Sequence, residues 1–386
     1  MKPAEKIAIL RLIRTQNIGP VTLTTLLRRF KSGTSVIEHL PELGKRSKIS
    51  LRLHSQAQAE DEIAKVNKYG GQIIVRGEAG YPDILKFFDD APGCLTCLGH
   101  PHIMQKNMLS IVGSRNASLN ALNLTRNLAH EIGAAGFNIV SGMARGIDAA
   151  AHEGSLDTGS IAVMAGGIDQ IYPKENAKLY ERLKHEGLIL SEMPFGMQPF
   201  AQHFPIRNRI IASLGAGLLV IEANLKSGSL ITAREAGDRG RDVMAIPGSP
   251  LDPRSKGCNK LLREGAILVE HAGDVIDVIK NRFLNSREPN MPLFTHTEHD
   301  IKKDADNDQI KDTLITVNEL NEAKRILKEL LSFDASPVDE LVKQCHFSIP
   351  VISTALFEME LSGDVVRHYG NRISLVWSPD EDTEND

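Results

Sequence analysis

Gly113-Ser114-Arg115 follows the apolar run Leu109–Val112 and precedes a helical stretch. At a strand-to-helix turn, a small hydroxyl and a guanidinium would meet a phosphate together with the free amides of the helix start. A second cluster, Phe204-Pro205-Ile206-Arg207-Asn208-Arg209, sets an aromatic ring beside two cations and an amide. Rings stack on unpaired bases while cations hold phosphates, the combination a single strand requires, although a core role for Phe204 fits the sequence equally well. Ser227-Gly228-Ser229 offers a further anion-binding turn before a helix, and Lys174 adds a cation after Tyr172-Pro173.

The catalytic signatures are missing. No H-E-x-x-H, Walker lysine loop or G-x-S-x-G elbow occurs, and His100, His102, His152, His185 and His203 lack metal-ligand spacing. A dinucleotide fold would carry G-x-G-x-x-G after the first strand, and none is present. Asp148 and His152, four apart on a helix, could form an acid/base pair, but a helix-surface pair or a sheet-packing contact is the more economical reading. Cys94 and Cys97 have no second pair to complete a zinc ribbon, so they read as small residues filling a strand. No catalytic residue, cofactor or metal is expected.

These groups need a scaffold, and the sequence supplies a repeated one. The runs Leu109–Val112, Phe137–Val140, Ile161–Met164, Leu188–Leu190, Gly217–Ile221, Asp242–Ile246 and Ala266–Val269 are nearly all apolar and alternate with helical stretches. That pattern predicts an α/β fold, a parallel sheet buried on both faces. Ligands bind such sheets beyond the carboxyl ends of the strands, and here those ends are rich in Gly, Ser and Pro. The expected division is a small helical module over residues 1–70, an extended Rossmann-like core over 71–284, a flexible tether over 285–320, a winged helix over 321–378 and an acidic tail over 379–386. In the first module, Lys6–Phe30 and Gln56–Tyr69 have helical spacing, and Asn17-Ile18-Gly19-Pro20 could make it helix-hairpin-helix-like or SAM-like. Ala323–Leu331, Pro337–Gln344 and Val351–Leu361 read as helices, with a hairpin around Tyr369-Gly370-Asn371.

The 386 residues carry a net charge of −4, which excludes coating of duplex DNA by bulk charge and confines any nucleic-acid site to a local pocket. No apolar run approaches the ~18 residues that span a bilayer, and Met1–Leu10 lacks a secretion signal, so the cytoplasm is the expected compartment.

Six ordered motifs resemble the DprA/Smf family of DNA-processing proteins. They are Ile111-Val112-Gly113-Ser114-Arg115, the run Ser141–Asp148, Gly166-Gly167-Ile168-Asp169 with Tyr172-Pro173, the run Phe204–Ala212, Ser227–Ala233, and Pro247-Gly248. Where that family often has Pro-Pro-x-Leu-Tyr, this chain reads Ala91–Cys97 and lacks the tyrosine. The resemblance implies a non-enzymatic mediator of natural transformation that binds and protects single-stranded DNA and helps load the recombinase RecA. It also implies a homodimer formed through the Rossmann-like domain, with single-strand-binding protein as a further partner. By similarity, Gly113, Ser114, Arg115, Lys174, Phe204, Arg207, Asn208, Arg209, Ser227, Gly228 and Ser229 form the DNA site. Within it, Arg115 and Lys174 would hold phosphates, Phe204 would lie beside the bases, and Arg207 and Arg209 would support the pocket. The competing reading is a phosphoribohydrolase-like nucleotide enzyme with Glu192 or Glu222 as acid/base, though its P-G-G-x-G-T loop is not found. A third, a winged-helix regulator of duplex DNA, is disfavoured because Val351–Leu361 carries Glu358 and Glu360 and no Lys or Arg, a composition better suited to a protein contact.

Overall fold

A computed structural model describes residues 1–47, 52–285, 317–331, 335–345, 347–368 and 371–376. Most of the expected tether and the whole acidic tail lie outside the described residues. The described chain falls into two compact units. One holds Met1–Arg14, Gly19–Thr34 and the chain from Leu53 to Asn285; the other holds Thr15–Ile18, the described part of Ser35–Arg52, and the residues from 317 onward.

The N-terminal region supplies α1 (Pro3–Ile13), α2 (Pro20–Phe30), α3 (Gly33–Ser47) and α4 (Gln56–Lys68). Pro3 and Pro20 open their helices where a missing N–H costs nothing. Ser55 starts α4 with a capping box, its hydroxyl accepting the Gln58 N–H while the Gln58 side chain accepts the Ser55 N–H. The sequence pattern missed α3, which contains Pro41.

The core follows as β1 (Gly71–Val75), β2 (Cys94–Gly99), β3 (Met108–Val112), α5 (Leu119–Ala134), β4 (Asn138–Ser141), α6 (Ile147–Ser155), β5 (Ser160–Met164), α7 (Ala177–Glu186) and β6 (Leu188–Ser191). It continues with α8 (His203–Leu214), β7 (Gly217–Val220), α9 (Ser229–Asp238), β8 (Asp242–Ala245), α10 (Lys256–Arg263), β9 (Ile267–Leu268) and α11 (Ala272–Asn285). These strands form a nine-stranded sheet in the order β1-β2-β6-β5-β4-β3-β7-β8-β9, parallel from β6 to β9. Every residue of β3 to β7 is buried, as helices on both faces require.

Three differences from the sequence pattern have local causes. The antiparallel pair β1 and β2 was not foreseen as an extension of the sheet, because neither segment belongs to a strand–helix repeat. Cys94 and Cys97 do fill β2, both buried; three residues apart, they face opposite sides of the sheet and could not share one ion. At the other edge β9 is only two residues long and both are exposed; it is the edge strand of the sheet among the described residues.

The C-terminal residues form α12 (Val317–Leu330), β10 (Ser336–Pro337), α13 (Val338–Gln344), α14 (Ile349–Ser362), β11 (Val365–His368) and β12 (Arg372–Leu375), with antiparallel sheet order β10-β12-β11. This is a winged helix packed on Leu327, Ile352, Leu356, Val365 and Ile373. The charge reading of α14 is corrected. Glu358 is buried against Lys324, and Glu360 pairs with Arg367 at 3.4 Å, so these carboxylates neutralise cations of the same domain. The exposed residues of the helix, such as Ile349 and Ser353, are uncharged.

Candidate nucleic-acid interface

Parallel register delivers the carboxyl ends of the central strands to one edge of the sheet. Ser110 of β3 is level with Val140 of β4 and Leu218 of β7, and Met164 of β5 is level with Ser191 of β6. Strands β4, β5 and β6 were laid to one side of β3, and β7, β8 and β9 to the other. The strand order therefore reverses between the parallel neighbours β3 and β7, where the loops splay apart and open a crevice.

Two cavities occupy this edge. The larger, about 590 Å³, sits at the reversal point between the loops after β3 and β7, and Ser114, Asn208, Lys226, Ser227 and Ser229 line it. The smaller, about 430 Å³, lies over the ends of β4 and β5, between Gly142, Gly166, Tyr172, Lys174 and Pro199. Arg115, Ala144 and Phe204 line both, so the two are halves of one groove. The Arg115 guanidinium stands 5.3 Å from the Phe204 ring centre, and the Tyr172 ring meets Phe204 edge-on at 5.7 Å. Arg115, Lys174 and Lys226 are exposed, and none is held in an ion pair by any described residue. Arg145 at the same rim is 3.8 Å from Glu175.

The Arg207-Asn208-Arg209 motif splits in three directions. Arg207 is buried beneath the groove, where its guanidinium donates to the carbonyls of Gly142 and Val163. A Cβ at position 142 would overlap that guanidinium, which explains the glycine. Burial pulls the Arg207 pKa down to about 10, with the charge of Asp148 acting the other way, and the side chain stays charged at neutral pH. Asn208 faces the larger cavity. Arg209 turns to Glu192 and the Asp90 carbonyl, and it lines neither cavity.

Asp148 and His152 are both buried, so the helix-surface alternative fails and the packing alternative holds. Asp148 Oδ2 accepts the Gly142 and Ala144 N–H groups at 3.2 and 3.3 Å, and His152 Nδ1 lies 2.8 Å from the Ser160 hydroxyl. At the α9 start, Ser227 and Ser229 place their hydroxyls 2.7 Å apart, each turned toward the groove. The carboxylates considered as acid/base are engaged elsewhere. Glu192 pairs with Arg209, and Glu222 accepts the Ser118 N–H at 2.8 Å with Arg254 at 3.7 Å. Sequence reasoning did not place Lys226, Arg145 or Tyr172 in the site. Lys226 was legible as a cation next to Ser227, whereas Arg145 and Tyr172 depend on how neighbouring loops fold together.

Gly113, Ser114, Arg115, Lys174, Phe204, Arg207, Asn208, Ser227, Gly228 and Ser229 thus meet along one groove, and Arg209 stands behind it. The chain matches family models described as DNA recombination-mediator protein A over residues 72–280, DprA-like N-terminal HHH domain over 3–64 and DprA winged helix domain over 317–371. Protein Smf of Escherichia coli (strain K12) is 34% identical over 320 residues, 82% of this chain and 80% of that protein. The X-ray structure of DNA processing protein A from Streptococcus pneumoniae superposes with a TM-score of 0.58 at 31% identity, covering 72% of this chain and 98% of that one. A structure of the Helicobacter pylori DNA processing protein A, described for its single-stranded DNA binding mode, has a TM-score of 0.51 at 28% identity over 55% of this chain and 96% of that one. With one family model matching residues 72–280, two more matching the flanking modules, and a relative 34% identical over 82% of the chain, this chain belongs to the DprA/Smf family of DNA recombination mediators.

Proposed function

We propose that the groove binds single-stranded DNA without chemical change to it. The observation that carries this reading is the coincidence, along one edge of the sheet, of the aromatic rings of Phe204 and Tyr172 with exposed cations that no described residue holds in an ion pair. Arg115, Lys174 and Lys226 hold phosphates, as does the Ser227-Gly228-Ser229 turn, where the α9 dipole favours an anion. Phe204 and Tyr172 present faces to an unpaired base, each stacked base contributing roughly 1–3 kcal/mol. A paired base cannot reach these rings without unstacking. The engagement of Glu192 and Glu222 in ion pairs and a loop N–H removes the support for a phosphoribohydrolase-like reading.

The family relationship extends this reading to a mediator that protects incoming DNA, dimerises through the sheet domain and passes the strand to RecA. Two grooves in such a dimer engage one strand with the avidity of a tethered pair. Fluorescence anisotropy with labelled oligo-dT and a blunt duplex of equal length tests the core of the proposal. Tighter, salt-sensitive binding of the single strand that weakens in Arg115→Ala is the expected result. Equal binding of both, or indifference to Arg115, removes it.

A further inference from the structure

One wall of the smaller cavity is Pro199, which belongs to an irregular strap, residues 192–202, joining β6 to α8. The strap lies directly on the loop that follows β5. Gly167 donates its N–H to the Met197 carbonyl at 2.7 Å, and Gly196 donates its N–H to Asp169 Oδ1 at 2.7 Å. The Gln198 and Gln170 side-chain amides bond to each other. The approach is so close that a Cβ on Gly167 would stand 2.6 Å from the Pro194 carbonyl oxygen, and one on Gly166 would stand 2.9 Å from that of Met197. On either side of the latch, Phe195 packs edge-on against Tyr69, with ring centres 5.6 Å apart, and Phe200 donates its N–H to His203 Nδ1 at 3.3 Å.

Asp169, which lines neither half of the groove, is the charged side chain that holds the middle of the strap; the first strap residue, Glu192, is held separately by Arg209 and Arg14. We infer that Asp169 is a positioning residue for single-strand binding: it latches the strap at Gly196 and so fixes Pro199 as a wall of the cavity that Phe204 also lines, where an unpaired base is held. This rests on the proposed reading of the groove. Gly196 is exposed and adopts a φ of +86°, so without the carboxylate its N–H turns to water and the strap gains conformational freedom. A loosened strap costs the base its wall. It leaves the cations Arg115, Lys174 and Lys226 in place, because none of them is on the strap: Arg115 and Lys226 follow β3 and β7, and Lys174 lies at the α7 end of the connection after β5.

The test measures two quantities on the full chain by anisotropy: the affinity ratio between oligo-dT and a fully abasic strand of equal length, and the slope of log affinity against log salt. The unmodified protein favours oligo-dT by at least about fivefold, the lower end expected for one stacked base. Asp169→Ala brings that ratio close to one and keeps the salt slope. Asp169→Asn, which retains a carbonyl oxygen able to accept the Gly196 N–H, restores the ratio. An unchanged ratio in Asp169→Ala overturns the inference, as does loss of ratio and slope together, or failure of Asp169→Asn to restore binding. Hydrogen exchange separates this from failure of the groove reading itself. Exchange at the Gly196 amide quickens by about tenfold or more in Asp169→Ala if the latch exists, whether or not any DNA binds, and an unchanged rate removes the latch.

Discussion

The floor and the rim of the groove carry charge in opposite ways. On the floor, Arg207, Asp148 and His152 are buried: one guanidinium nitrogen of Arg207 donates to Gly142 and Val163, Asp148 accepts from Gly142 and Ala144, and His152 Nδ1 meets Ser160, while Arg207 Nε and His152 Nε2 have no hydrogen-bond partner among the described residues. On the rim, Arg115, Lys174 and Lys226 face water with no carboxylate of the described residues to hold them. A buried charge must be satisfied by the protein because water cannot reach it, so it stabilises the fold and is unavailable to a ligand. An exposed, unpaired cation does little for the fold and keeps its capacity for a phosphate. Floor substitutions should therefore change stability first, and rim substitutions affinity first.

Arg207→Met is the most severe way to challenge that division. It leaves Asp148 buried without its cation, and the expected loss is about 3 kcal/mol in urea unfolding. A loss below about 1 kcal/mol would place Arg207 with the rim. Next comes Arg115→Ala, expected to weaken oligo-dT binding about tenfold or more. It should also reduce the salt slope by about 0.7, the share of one phosphate, while the urea midpoint stays put.

The floor also predicts a pH dependence. Burial, reinforced by Arg207, pulls the His152 pKa down to about 3. Below the ordinary histidine value of about 6.5 the unfolded chain takes up a proton that the folded chain refuses, so stability is full above that pH and declines on acidification toward 3. Asp148 works the other way, because burial raises its pKa and the folded chain accepts that proton first. Between about pH 6.5 and 5 the decline from His152 is on the order of 1 kcal/mol. His152→Gln should flatten the profile in that window, and an unaltered profile would mean the imidazole is solvated. The smallest effect belongs outside the groove: Arg372→Ala in the winged helix should change oligo-dT affinity by less than about twofold, since its guanidinium is bonded to the Ala335 carbonyl. A larger change would extend the interface to that domain.

Much of the groove was readable because loop motifs at strand ends have one place to go in a parallel sheet. Gly113-Ser114-Arg115 and Ser227-Gly228-Ser229 fall on the two sides of the reversal point, and the strand–helix alternation alone puts both at the carboxyl edge. The divergence of Arg207 from Arg209 was not readable. Two arginines two residues apart point to different sides of a helix, and nothing local says which side is buried. The same limit applied to Glu358, whose charge suggested a repulsive surface until Lys324 proved to lie against it.

Sequence by itself determined the α/β class, the edge of the sheet at which a ligand is met, and the kinds of group waiting there, because strand periodicity and turn chemistry act over a few neighbouring residues. Tertiary structure decided which cations remain free, which carboxylates are already neutralised, and how loops distant in sequence, 142–146, 165–173 and 192–202, close around one cavity. Charge pairing and close backbone approach act through space, at distances that only the folded chain sets.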